Sequence, residues 1–132
     1  MRTSITVTTT RREELVDITP PVREVISRSD PSFQLCSIFV RGATAAIMIQ
    51  ENWDPNIGID VVSCLQHLVP RGNWLHDRVD GNGDAHIKAG IVGPSETIPL
   101  LRGEMMLGTW QNIFLCEFDG PRQNREITIT LL

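Results

Sequence analysis

The sequence predicts an α+β domain, a largely antiparallel β-sheet carrying about three helices. Three observations lead there. The closing stretch "EITITLL" puts Ile127, Ile129 and Leu131 on one face of a strand, with polar residues between them. The stretch "WDPNIGIDVVSCLQHLVP" reads as an amphipathic helix bounded by Asp54-Pro55 and Pro70. The helices fall between pairs of strands joined by short turns rather than in a regular β-α-β alternation, which favours antiparallel pairing.

In chain order, "SITVTTT" at 4–10 alternates and is rich in β-branched residues, as a half-buried strand should be. "LVDI" at 15–18 is a second short strand. Thr19 is placed to cap a helix in which Pro20 and Pro21 occupy the first turn, and Val22, Val25 and Ile26 give its apolar face to about Ser29. Strands follow at 33–41 and 43–50, separated at Gly42. In the helix at 55–69, capped by Asp54, the expected apolar face is Ile57, Val61, Cys64, Leu65 and Leu68. Asp84 is expected to cap a third helix that ends at Gly93. "ETIPLL", a long strand from Met105 to about Phe118, the turn "DGPR" and the final strand complete the chain. No linker or repeat divides residues 1–132, so a single domain is expected.

Composition narrows the function. Sixteen acidic and twelve basic residues give a net charge of −4, without the basic face that phosphate neutralisation on nucleic acid requires. The three cysteines, Cys36, Cys64 and Cys116, stand singly among apolar residues and are expected to be reduced and buried. No run approaches the roughly 18 apolar residues of a membrane span, and "MRTSITVTTTRR" lacks the apolar core of a signal peptide. A cytoplasmic protein that binds neither nucleic acid nor membrane is expected.

The chemistry-bearing stretch is "DGNGDAHI" at 80–87, a glycine-broken loop that delivers His86. Asp80, Asn82 and Asp84 fall at positions one, three and five of a calcium loop. Ala85 and Ile91 stand where that loop needs glycine and a bidentate glutamate, so an EF-hand is excluded. His76 and His86 flank the acidic loop, and imidazoles beside carboxylates are the material of a transition-metal site. The plainer reading makes His86 a hydrogen-bonded histidine in a first helical turn and His76 a solvated loop residue. His67, inside the helix at 55–69, reads as structural or surface. Glu51 follows the apolar strand "AIMIQ" and can reach into a cleft as base, ligand or cap partner; Asp60 has the same options from within a helix. In "GTWQN" Trp110 and Gln111 should point to opposite faces of a strand. Ser95, after Gly93-Pro94, can meet an anion, and Arg122 suits a phosphate or carboxylate.

Together "TAAIMIQENWDPNIGID", "LHDRVDGNGDAHIKAGIVGPSETIPL", "GTWQNIFLCEFDGPR" and "REITITLL" resemble, in order and spacing, the YjbQ family, also called secondary thiamine-phosphate synthases. The resemblance implies an α+β homotrimer with sites near subunit boundaries. It also implies a divalent metal ion, zinc or magnesium/manganese, and a weak transfer joining an aminopyrimidine methyl diphosphate to a thiazole phosphate. Positions matched to the family are Thr44, Glu51, Asp60, His76, Asn82, Asp84, His86, Ser95, Trp110, Gln111 and Arg122. On this resemblance His86, His76 and Glu51 are the expected catalytic groups. Thr44, Asn82, Ser95, Trp110, Gln111 and Arg122 are expected to bind a phosphorylated small molecule, and His76, His86 and Asp84 to hold metal. One departure is plain: "GATA" at 42–45 stands where family members commonly have His-Thr-Thr-Ala, so Gly42 supplies no ligand. The alternative expectation is therefore a non-catalytic trimer that binds a metal or metabolite.

Overall fold

The computed structural model describes residues 1–132. Its strands are β1 (Arg2–Val7), β2 (Glu14–Asp17), β3 (Leu35–Val40), β4 (Ala45–Glu51), β5 (Ser95–Leu101), β6 (Glu104–Met105), β7 (Gln111–Glu117) and β8 (Arg125–Leu131). The helices are α1 (Thr19–Ser27), α2 (Asn56–Leu68) and α3 (Gly83–Val92), with a 3-10 turn at Leu75–Arg78. All strand pairs are antiparallel and form two sheets, β1-β8-β3-β5-β6 and β2-β7-β4. The α+β reading with three helices and antiparallel sheets holds.

The larger sheet buries one face. Cys36, Ile38, Val40, Ile98, Leu100, Ile127, Ile129 and Leu131 meet Ala45, Ile47, Ile113 and Leu115 of the smaller sheet, and Ile18, just before α1, with Val22 and Ile26 of α1 join this core. The smaller sheet is covered on both faces. Behind it Ala46, Cys116 and Phe118 pack with Leu65 of α2 and with Ala85 and Ala89 of α3. That double covering explains why β4 and β7 read as nearly unbroken apolar runs while β8 alternates.

Local differences from the sequence reading have physical reasons. Thr19 does not cap α1. Its hydroxyl accepts the Ile113 N–H (2.8 Å), and the Asp17 carboxylate takes the Thr19 N–H (2.9 Å) instead. Asp54, two residues before α2, accepts the Asn56 N–H (2.9 Å), but the N-cap position itself is Pro55, which carries no side-chain cap. The expected long strand from Met105 is broken: Gly108 N–H donates to the Gln111 side chain (2.8 Å) and Gln111 N–H to the Gly108 carbonyl (3.0 Å). A turn therefore separates β6 from β7 and leaves Trp110 ahead of the strand.

Cys36 and Cys116 are buried and Cys64 is exposed on α2, which corrects the expectation of three buried thiols. Burial pushes the Cys36 thiol up to about 11 and the Cys116 thiol up to about 12. A thiol reagent such as DTNB near neutral pH should titrate one cysteine per native chain, and all three after denaturation. Loss of the native signal in Cys64→Ser checks the assignment.

Candidate functional site

The loop "DGNGD" is shaped by its glycines. Gly81 has φ +64, a left-handed conformation that glycine adopts freely. A Cβ on Gly83 would sit 2.7 Å from Trp74 Cβ, so only glycine lets the start of α3 press against the 3-10 turn. The Asp77 carboxylate ties the two segments by accepting the Trp74 N–H (3.1 Å) and the Gly83 N–H (2.8 Å). This clasp brings His76 and His86 together, ring centroids 4.6 Å apart and planes at 80°. Asp80 lies beside them, 3.9 Å from His76 Nε2.

Asn82 connects this pair to the turn after β7. Its carbonyl accepts the His86 N–H (3.3 Å), and its side-chain amide donates to Asp119 Oδ2 (2.9 Å). The same carboxylate oxygen accepts from Arg122 Nη2 (3.0 Å), while Arg122 Nε donates to the Asp119 carbonyl (2.9 Å). Arg122 is thus fixed in direction and half exposed, and its Nη1 makes no bond within the chain. Asn82 Oδ1 is buried with no hydrogen-bond partner, an unsatisfied acceptor in the middle of the array.

Asp84 faces elsewhere. Both its oxygens are taken, one by Arg12 Nη2 (3.0 Å) and the other by Arg12 Nη1 (3.1 Å) and Lys88 Nζ (3.0 Å); Lys88 also binds Glu13. Asp84 and Lys88 are fully buried. Burial by itself raises the Asp84 carboxyl, but the hydrogen bonds and charges of Arg12 and Lys88 outweigh it and hold the group below its ordinary range. The sequence reading missed this cluster. The i,i+4 spacing of Asp84 and Lys88 was the available signal, while Glu13 and Arg12 are brought in only by the fold.

The remaining expected residues divide between two places. Thr44 is buried, and its hydroxyl accepts from Arg125 Nη2 (2.9 Å). Arg125 is in turn paired with the buried Glu117, whose carboxylate also accepts the Thr9 hydroxyl (2.7 Å). Gly42 adjoins this cluster: with φ +149, it would place a Cβ 3.0 Å from Arg125 Nη1, and no other group comes within 4 Å. Ser95 opens β5, exposed, opposite Phe39. Glu51, Trp110 and Gln111 lie at the far end of the smaller sheet. Ala45 pairs with Glu117 at one end of the β4–β7 ladder and Glu51 with Gln111 at the other, about 20 Å away at ~3.3 Å per residue. Asp60 is exposed on α2 without a partner, and the His67 ring meets the Ser63 carbonyl (2.7 Å) on its own helix.

For the expected divalent ion, the donors do not assemble within one chain. The two imidazoles are adjacent, but Asp84 is committed to Arg12 and Lys88, and no three His, Cys, Asp or Glu side chains are grouped to hold a metal ion. What the array offers is a pair of imidazoles, a directed guanidinium and an unsatisfied amide oxygen, a set suited to proton transfer beside an anionic group.

These features define an α+β protein of two packed antiparallel sheets, with a polar array where the 3-10 turn, α3 and the β7–β8 turn converge. A family model described as UPF0047 protein YjbQ-like matches residues 3–132, and the chain belongs to that family. It is 47% identical over 124 residues to a UPF0047 protein of Methanocaldococcus jannaschii, covering 94% of this chain and 88% of that protein. It is 35% identical to the UPF0047 protein YugU of Bacillus subtilis, with 92% of each chain covered. A crystal structure described as a YbjQ-like protein of unknown function from Sulfolobus solfataricus superposes with a TM-score of 0.94 at 36% identity, covering 99% of this chain and 95% of that one. A hypothetical protein from Aeropyrum pernix K1 gives a TM-score of 0.94 at 36% identity, covering 100% and 98%. No helix is long and apolar enough to cross a membrane.

The Asp84 cluster yields a stability prediction. Asp84→Ala leaves Lys88 buried with one partner and should cost about 3–5 kcal/mol in urea unfolding. Because the folded Asp84 carboxyl is lowered from 3.8, its stabilisation is complete above that value and is lost as pH falls below it. The wild type should therefore show an acid loss of stability over that interval that Asp84→Ala shows more weakly.

Proposed function

We propose that the protein is a homotrimeric enzyme acting on a phosphorylated small molecule, with transfer of the thiamine-phosphate synthase type as its reaction. The observation that carries the proposal is the array joining His76 and His86, through Asn82 and Asp119, to the directed guanidinium of Arg122. In that reaction the thiazole nitrogen attacks the methylene carbon of the aminopyrimidine. The carbon–oxygen bond to the diphosphate breaks, and pyrophosphate leaves with the electron pair. Arg122 Nη1 meets the departing phosphate oxygens, and His86, with His76 against it, supplies a proton as negative charge grows there.

Two features support the trimer. Leu75 and Val79, on either side of His76, are 81% and 74% exposed in the single chain, more apolar surface than a site margin ordinarily leaves in water. None of the main cavities of the single chain is lined by His76, His86, Asn82 or Arg122. A neighbouring copy would cover the apolar residues and close a cleft over the histidines. It is also the means by which Glu51, Trp110 and Gln111 reach the same substrate.

The experiment is formation of thiamine phosphate from the two phosphorylated halves. The wild type should turn over slowly, and His86→Ala should lower the rate about 100-fold or more, the ordinary contribution of a positioned acid or base. Equal rates for wild type and variant would remove His86 from the mechanism. Saturable binding of the halves with no turnover would instead favour a metabolite-binding trimer.

A further inference from the structure

Two adjoining cavities open on the side of α3 turned away from the histidines. Asp84 and Lys88 share one face of that helix, and His86, two positions from each, falls on the opposite face at about 100° per residue. One cavity encloses about 470 Å³, and its charged lining is Arg11, Arg12, Glu13, Arg71, Asp84 and Lys88. The other, of about 490 Å³, lies between β2 and α2, with Leu15, Ile59 and Val62 on its walls. Arg11, Glu13 and Gln66 border both, so the two form one trench, charged at one end and partly apolar at the other. Gly58 keeps the apolar end open. A Cβ there would meet only Leu15 Cβ, at 4.0 Å, so α2 carries an unfavourable glycine where a larger side chain would fill the trench. Ile59, on the same wall, is 66% exposed.

The charged end holds more cation than its own acids use. Asp84 is occupied on both oxygens by Arg12 and Lys88, and Glu13 by Lys88 and the Gln66 amide (2.6 Å). Arg11 and Arg71 take part in no ion pair of the chain. Glu14 borders only the apolar cavity, and its Oε2 is turned to the backbone, accepting the Thr10 N–H (2.7 Å) and the Arg11 N–H (2.8 Å). Four cations thus face two acids in the charged cavity, a surplus of two, in a chain whose net charge is −4. Guanidinium groups pair in bidentate fashion with phosphate and carboxylate. A surplus of two matches a phosphate monoester, which carries close to two negative charges, better than a single carboxylate. The same surplus repels a metal cation.

We infer that this trench is a binding site for a phosphate monoester bearing an apolar organic group, separate from the array at His86. Arg11 and Arg71 take the phosphate, and the wall of Leu15, Ile59 and Val62 takes the organic group. The trench lies along β2, where Glu14 pairs with Glu117 and Leu15 with Cys116, at the opposite end of β7 from Gln111. The trimer proposed above covers Leu75 and Val79, neither of which borders the trench.

The test uses the whole protein and two NMR signals beside the trench, the Gln66 side-chain amide and the Gly58 backbone amide. The Asn82 side-chain amide reports the histidine array separately. Phenyl phosphate, benzoate and inorganic phosphate are titrated in turn. Phenyl phosphate should move the Gln66 and Gly58 signals saturably and bind about tenfold tighter than either of the others. Arg71→Gln alters an exposed side chain outside every ion pair, so it should fold normally and weaken phenyl phosphate and inorganic phosphate alike, by about fivefold. Gly58→Leu fills the apolar end and should bring phenyl phosphate down to the affinity of inorganic phosphate, which it leaves unchanged. Ile59→Ser, at an exposed position, should weaken phenyl phosphate in the same sense and serves if Gly58→Leu does not fold. Equal binding of benzoate and phenyl phosphate, full affinity in Arg71→Gln, movement of the Asn82 signal alone, or no saturation would overturn the assignment. None of these readings involves turnover, so they stand apart from the outcome for His86.

Discussion

Most of the structure depends on the pairing of β4 with β7. Seven consecutive pairs, from Ala45↔Glu117 to Glu51↔Gln111, join the central strand of the smaller sheet to its edge strand, and because both faces of that sheet are covered the pairing cannot slip register without moving apolar groups to the wrong side. Each end of that ladder then fixes a different set of polar residues. At the Glu117 end the chain turns through Asp119 and Arg122, toward Asn82 and the histidines. At the Gln111 end it presents Trp110 beside Glu51. The distance between the two sets is set by strand length, and no side-chain rearrangement within one chain removes it.

Buried charge holds the helical layer in place. Asp84, Lys88, Arg12 and Glu13 couple α3 to the segment before β2, and Glu117 with Arg125 couples the ends of β7 and β8. Removing one member of such a group costs more than the group adds, since the partner is left desolvated. The effect on the site is indirect. The residues that sequence similarity marks as functional include some, such as Thr44 and Asp84, whose present contacts are with arginine and lysine side chains.

How much was legible in the sequence varied with the physics. The strand alternation in "EITITLL" and the proline-bounded helix in "WDPNIGIDVVSCLQHLVP" reported burial directly, so the α+β class and the helix positions could be read. The break at Gly108 was missed because the stretch on either side is apolar, and apolarity does not tell a turn from a strand. The adjacency of His76 and His86 could be suspected from the loop between them, but the clasp depends on Asp77 and on the close approach at Gly83, neither of which has a local signature. The ion cluster at Asp84 joins residues more than seventy positions apart in sequence, and spacing alone carries no record of that.

The proposed reaction requires the two ends of the β4–β7 ladder to meet between copies and not within one. Inter-chain cross-linking tests that most directly. Two differently tagged chains, both carrying Cys64→Ser, would be mixed and allowed to assemble, one with Trp110→Cys and the other with His76→Cys, and treated with a short bismaleimide. The account predicts a covalent product containing both tags. It also predicts no internal link in a chain carrying both new cysteines at a dilution where it is monomeric. An internal link at that dilution, or a wild-type mass in solution of a single chain, would contradict it.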